Sequence, residues 1–151
     1  MLLMSIKRLT KTDIAKSQLD SALTFYLEDR ELVSAITLAG AAEEILGKLC
    51  EKEHKPTSLE HRTKLACDLF KFVWNRDEDE KSVRDSMNQT KNELKHLISG
   101  DAIDVDIEFE AGELLERAIG NYERLFGTKT DKMCSFELKH REASERLFPK
   151  V

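Results

Sequence analysis

Chain breakers are scarce: two prolines and six glycines in 151 residues. Beside 40% apolar and 35% charged residues, that shortage reads as a soluble, mostly helical protein. Cysteine is equally sparse. Cys50, Cys67 and Cys134 are odd in number, widely spaced and without a CxxC. This excludes a disulfide frame and suits thiols in a reducing cytosol, with Cys50 and Cys67 as small core residues. Long apolar runs are missing too. The opening "MLLMSIKRL" meets charge too soon for a signal peptide or a membrane span, so a cytoplasmic protein without a membrane partner is expected. Positive charge is in deficit, with a formal net charge of −5, which argues against a dedicated duplex-DNA binder. A local basic patch stays compatible with that total. There is no Walker loop, dinucleotide fingerprint, nucleophile elbow or zinc finger.

What is present is helical periodicity in a single domain's length of chain. After an arm over about 1–10, Thr12 is placed to cap a helix over 13–29 with Ala15, Leu19, Ala22, Leu23, Tyr26 and Leu27 as its stripe. A second helix over 31–53 carries Ala35, Leu38, Ala39, Ala42, Ile45, Leu46 and Leu49. Its Gly40 and Gly47 suggest a closely approaching backbone. Ser58 starts a third, with Leu65, Leu69, Phe72 and Val73 as core candidates and Trp74 near its end. The acidic "NRDEDE" precedes a fourth over 79–98, with Val83, Met87, Leu94, Leu97 and Ile98 on its apolar side. Gly100 closes it and "DAIDVDI" is an extended link. "EFEAGELLERAIGNYERLFG" then forms a strong amphipathic helix ended by Gly127. The reading is an all-α, antiparallel four- to five-helix bundle over 1–127. A polar tail over 128–151 adds one weaker helix at about 132–147. Met133, Phe136 and Leu147 can dock that helix, and the core fold is expected to manage without it.

The fourth helix gathers Arg84, Asn88, Lys91, Asn92, Lys95 and His96 on one strip. One reading is a water-facing surface. Mid-helix asparagines are unusual there, because Asn competes with the helical backbone. The other reading is an anion site. His96 can take and give a proton near neutrality, Asn92 lies one turn away to orient a hydroxyl or phosphate oxygen, and Lys91 balances charge. Arg84, Asn88 and Lys95 extend the strip along a phosphate chain, and Glu43 is placed to orient His96 or Lys91. Such a set can cleave RNA, which supplies its own 2′-OH nucleophile, without a cofactor or metal.

"KNELKH" resembles the signature of the HEPN superfamily (higher eukaryotes and prokaryotes nucleotide-binding), an Arg followed four to six residues later by His, often with a polar residue after the Arg. Lys91, Asn92 and His96 match in order, with Lys where that signature has Arg. "SAITLAGAAEEILGKLCEK" is similar to the Ala-rich helix of those bundles and "EAGELLERAIGNYERLF" to their closing helix. The likeness covers about 11–127. It implies an up-and-down bundle, usually a homodimer with the motif helices of two protomers facing a cleft. It further implies either a metal-independent endoribonuclease of a defence or toxin–antitoxin type, binding RNA or a nucleotide, or a non-catalytic module binding a protein such as a nucleotidyltransferase. Lysine keeps the motif's charge but lacks the planar fork of Arg.

A different class comes from "ELKH", which occurs at Glu93–His96 and again at Glu137–His140. Two E-x-x-H helices with Glu43 or Glu44 and Glu113 or Glu116 would match the ligands of a di-metal carboxylate bundle. Lys91 and Lys95 beside His96 would repel such a dication.

Overall fold

The computed structural model describes residues 6–96 and 100–147, apart from the side chains of the last two. All regular structure there is helical: α1 (Lys11–Leu27), α2 (Leu32–Lys52), α3 (Ser58–Trp74), α4 (Glu80–Met87), α5 (Gln89–Lys95), α6 (Ile107–Phe126) and α7 (Asp131–Leu147). No described helix is long and apolar enough to cross a membrane. The expected positions Leu97, Ile98 and Leu147 lie outside the described side chains.

Local chemistry sets the helix ends. Thr10, rather than Thr12, caps α1, because only Thr10 has an acid at the third helical position. The Thr10 hydroxyl oxygen accepts from Asp13 N–H (3.0 Å) and the Asp13 carboxylate accepts from Thr10 N–H (3.0 Å). Thr57 and Glu60 repeat this box at α3, which moves the cap one residue ahead of Ser58. Gly127, at φ 68°, ends α6 as its position after the apolar stripe predicts.

The core joins α1, α2, α6 and α7. Ala15, Leu19, Leu23 and Tyr26 meet Ile36, Ala39, Leu46, Leu114, Leu115, Ile119, Met133 and Phe136, all buried. The stripes read from the sequence for α1, α2 and α6 are the faces that pack. The central pair, α2 and α6, runs parallel rather than antiparallel: Gly40 lies against Leu114, Glu43 against Arg117 and Gly47 against Asn121. The reason is topological. The α3–α5 excursion carries the chain back before α6 begins.

α7 is integral to this core. Met133 and Phe136 belong to the same buried cluster, and Phe136 meets Tyr26 edge-on at 5.0 Å between ring centres. Lys139 donates to the last carbonyls of α1, Tyr26 O (3.1 Å) and Leu27 O (3.3 Å), where a cation suits the helix dipole. A boundary at 127 therefore cuts through one packing unit.

α3 departs most from expectation. Leu65, Leu69, Phe72, Val73 and Trp74 are exposed, and the helix buries only Ser58 and Thr63. Its C-terminal half forms an arm with α4, which buries no residue at all.

Candidate functional site

The expected fourth helix is two helices meeting at Asn88. The cause is Arg117 on α6. Its Nη1 donates to the carbonyl of Met87 (3.1 Å), and its Nη2 donates to Asn88 Oδ1 (2.7 Å). The first bond engages the carbonyl that a continuous ladder would offer to Lys91 N–H, the second anchors the Asn88 side chain, and Asn is a residue type that tolerates a helix break.

Past this break Lys91 points inward, on the side that Met87 and Leu94 share. Its side chain is 5% exposed and lies in the groove of α2. At Gly40 a methyl group would come within 2.8 Å of Lys91 Cδ. Gly40 thus makes room for a lysine stem, and Gly47 faces the Asn121 side chain, where a neighbouring backbone was expected. Lys91 Nζ lies 3.3 Å from Glu43 Oε2 and 2.9 Å from Glu44 Oε1. Glu43, 4% exposed, also accepts from Arg117 Nη2 (2.9 Å), so one carboxylate holds two buried cations. Asn121 extends the network, donating to Glu43 O (3.3 Å) and accepting from Ser58 N–H (2.8 Å).

This centre is close to neutral. Lys91, Lys95 and Arg117 face Glu43 and Glu44, leaving one positive charge over. Burial alone would raise the Glu44 pKa, but the hydrogen bond and charge of Lys91, with Lys95 adding, bring it below the usual carboxylate value. A cleft of about 240 Å³ opens beside the centre, with Glu43, Glu44, Glu51, Lys48, Asn88 and Lys91 among its walls. With Arg117 held against Glu43 and Asn88, three carboxylates meet three cations around that cleft, so it carries no excess positive charge to draw a phosphate.

The remaining strip residues part company. Asn88 is bound to Arg117. Arg84 is half-buried, and its Nε has no hydrogen-bond partner among the described residues. Lys95 is exposed, with Nζ 3.5 Å from Glu44. His96 is exposed just past the end of α5, in extended backbone, and its N–H donates to Asn92 O (2.9 Å). Asn92, Lys95 and His96 therefore share the open end of α5, and Lys91 lies under it. Glu43 lies against Lys91 and Arg117.

Arg117 was not anticipated. It sits inside the stripe of α6, where Leu114, Arg117 and Asn121 repeat at three and four residues, and that polar pair within an apolar register was the available signal.

Among the described residues, Glu113, Glu116 and His140 form the single three-ligand group close enough for a metal, their nearest ligand atoms all within 4.8 Å of one another. Arg62 already lies across both carboxylates. His140 stacks on Phe136, its Nδ1 is 3.3 Å from Tyr26 Oη, and it presses on α6 where Gly112 has no Cβ. Burial pushes the Tyr26 pKa up to about 12, with Glu108, Asp29 and Glu116 adding to the rise. Glu43, Glu44, Glu93 and His96 are outside this group, and Glu137 pairs with Lys129 (2.7 Å). The two E-x-x-H segments are not brought to one centre.

Comparison of the chain with protein-family models, with curated proteins and with solved structures finds no match.

Proposed function

We propose that this chain is a helical docking module with an HEPN-like arrangement, acting through a helix face rather than by catalysis. The observation that carries the reading is the apolar side of α3, which the fold leaves in water while covering the stripes of α1, α2 and α6. An apolar face of that kind marks an interaction surface. The inward turn of Lys91 supports the same reading. The cation that aligns with the motif arginine is held between two carboxylates, which take two of its three donors and offset its charge toward a phosphate. Partners of the expected kind are a second copy of the chain or a protein such as a nucleotidyltransferase. A photoreactive residue placed at Leu69 should give a defined protein adduct in cells, and one placed at exposed Lys7 should not. Absence of an adduct at position 69 would end this reading.

A second reading keeps RNA. Asn92, Lys95 and His96 are together at the open end of α5, so a strand could meet a proton-transfer group, an amide and a cation there. In this version Lys95 supplies the charge and Lys91 positions the helix. The assay is cleavage of single-stranded RNA with and without EDTA, comparing wild type with His96→Ala. Metal-independent cutting that His96→Ala reduces by about 10²–10⁴-fold would place this reading first. Equal cutting by both proteins would discard it.

A further inference from the structure

The occupant of α3 can be argued further, on the basis of the docking reading. Leu65, Leu69, Phe72 and Val73 fall at i, i+4, i+7 and i+8, one continuous stripe along the helix. These residues remain 60%, 55%, 88% and 52% exposed, and Trp74, on the opposite side at the helix end, is 62% exposed. With an aromatic residue contributing about 150–250 Å² when fully covered, the four stripe residues present on the order of 500 Å² of apolar surface. That lies in the upper part of the range for the largest patch on a monomer, about 300–600 Å², where such patches are often functional.

We infer that α3 pairs with α3 of a second copy of this chain, antiparallel across a two-fold axis near Leu69. Two arguments select that partner. The first is area: two such faces together bury about 1,000 Å², the size at which an interface becomes a specific one. The second is symmetry of spacing. Leu65 and Val73 each stand four residues from Leu69, so the reversed stripe matches itself. An antiparallel partner then sets Leu65 against Val73 and Leu69 against Leu69, as an isologous contact requires. A membrane is a poorer occupant, because the stripe's border is mixed, with Asp68, Asp77 and Glu78 among Lys64, Lys71 and Arg76, and lacks the basic excess that an anionic lipid surface selects. The chain's own tail is committed elsewhere, with Met133 and Phe136 in the core.

Sedimentation equilibrium across a concentration series tests this. The wild type should reach twice the 17.3 kDa chain mass at concentrations up to about 100 µM. Leu69→Asp puts a charge at the axis and should weaken association by about 30-fold or more. Phe72→Ser should weaken it less, and Val33→Asp, at an exposed apolar position on α2, should leave it unchanged. Circular dichroism confirms that each variant is folded, as expected for residues already in water. A wild type that stays monomeric overturns the self-pairing, and an adduct at position 69 with another protein would then retain the docking reading. A dimer indifferent to both Leu69→Asp and Phe72→Ser overturns α3 as the interface.

Discussion

The bundle of α1, α2, α6 and α7 and the arm of α3 and α4 use the same apolar alphabet to opposite ends. Leu19 and Leu69 both lie on helical stripes, yet Leu19 is fully covered by the chain's own core and Leu69 is more than half exposed. Charge reverses as well. The bundle side encloses Lys91, Glu43 and Arg117, and α3 leaves its apolar face in water. Periodicity therefore says which residues share a face. Whether that face is covered within the chain depends on the topology.

The largest effect expected on this contrast is truncation before Thr128. It removes Met133 and Phe136 from the core and the Lys139 cap from α1, and losing a buried Phe alone costs about 3–5 kcal/mol. Thermal melting should show that cooperative unfolding is lost. A retained sharp transition would make α7 an accessory.

Glu43→Ala comes next. It leaves Lys91 and Arg117 buried without the carboxylate they share, a change that costs about 3–5 kcal/mol. Lys95→Ala, on an exposed partner of Glu44, should move stability by less than about 1 kcal/mol. Urea midpoints of the two variants measure the difference, and equal shifts would show that the buried centre is not special.

Smaller again is Gly40→Ala. The added methyl meets Lys91 Cδ at 2.8 Å, and overpacking of that sort costs about 1–3 kcal/mol, against a helix-propensity gain of up to about 1 kcal/mol. Net destabilisation is expected, relieved when Lys91 is shortened in the double variant. Leu65→Ala, on the arm, should change monomer stability by within about 0.5 kcal/mol.

Acid gives the mildest contrast. Because the Glu44 pKa is lowered in the folded chain, its pairing contributes fully above the ordinary value of 4.5 and is lost as the pH falls through the lower, folded value. The fall in melting temperature below that pH should be shallower in Glu44→Gln. A slope unchanged by the substitution would remove Glu44 from the charge centre.

Much of the fold was legible. The stripes of α1, α2 and α6 announced their buried faces, and Gly127 announced an end. Lys91 was legible in principle, since Met87, Lys91 and Leu94 stand at i, i+4 and i+7, on the apolar side that Met87 and Leu94 define. Grouping by charge placed it instead with Lys95 and His96 on a strip facing out. The Arg117 contact could not be read, because it joins segments far apart in the chain and its effect is to break a helix that local propensity would continue. The exposure of α3 was equally hidden, since amphipathic spacing carries no record of which chain covers it.

The charge centre also bears on the order in which the molecule assembles. Glu43 meets Lys91 across 48 residues and Arg117 across 74. Closing such loops costs entropy before any contact rewards it, and the three charges give up water only once α2, α5 and α6 are already in register. Desolvation of this trio therefore belongs on the native side of the folding barrier. Weakening it should leave the refolding rate nearly unchanged and accelerate unfolding, so that Glu43 governs how long the folded molecule lasts more than how fast it forms.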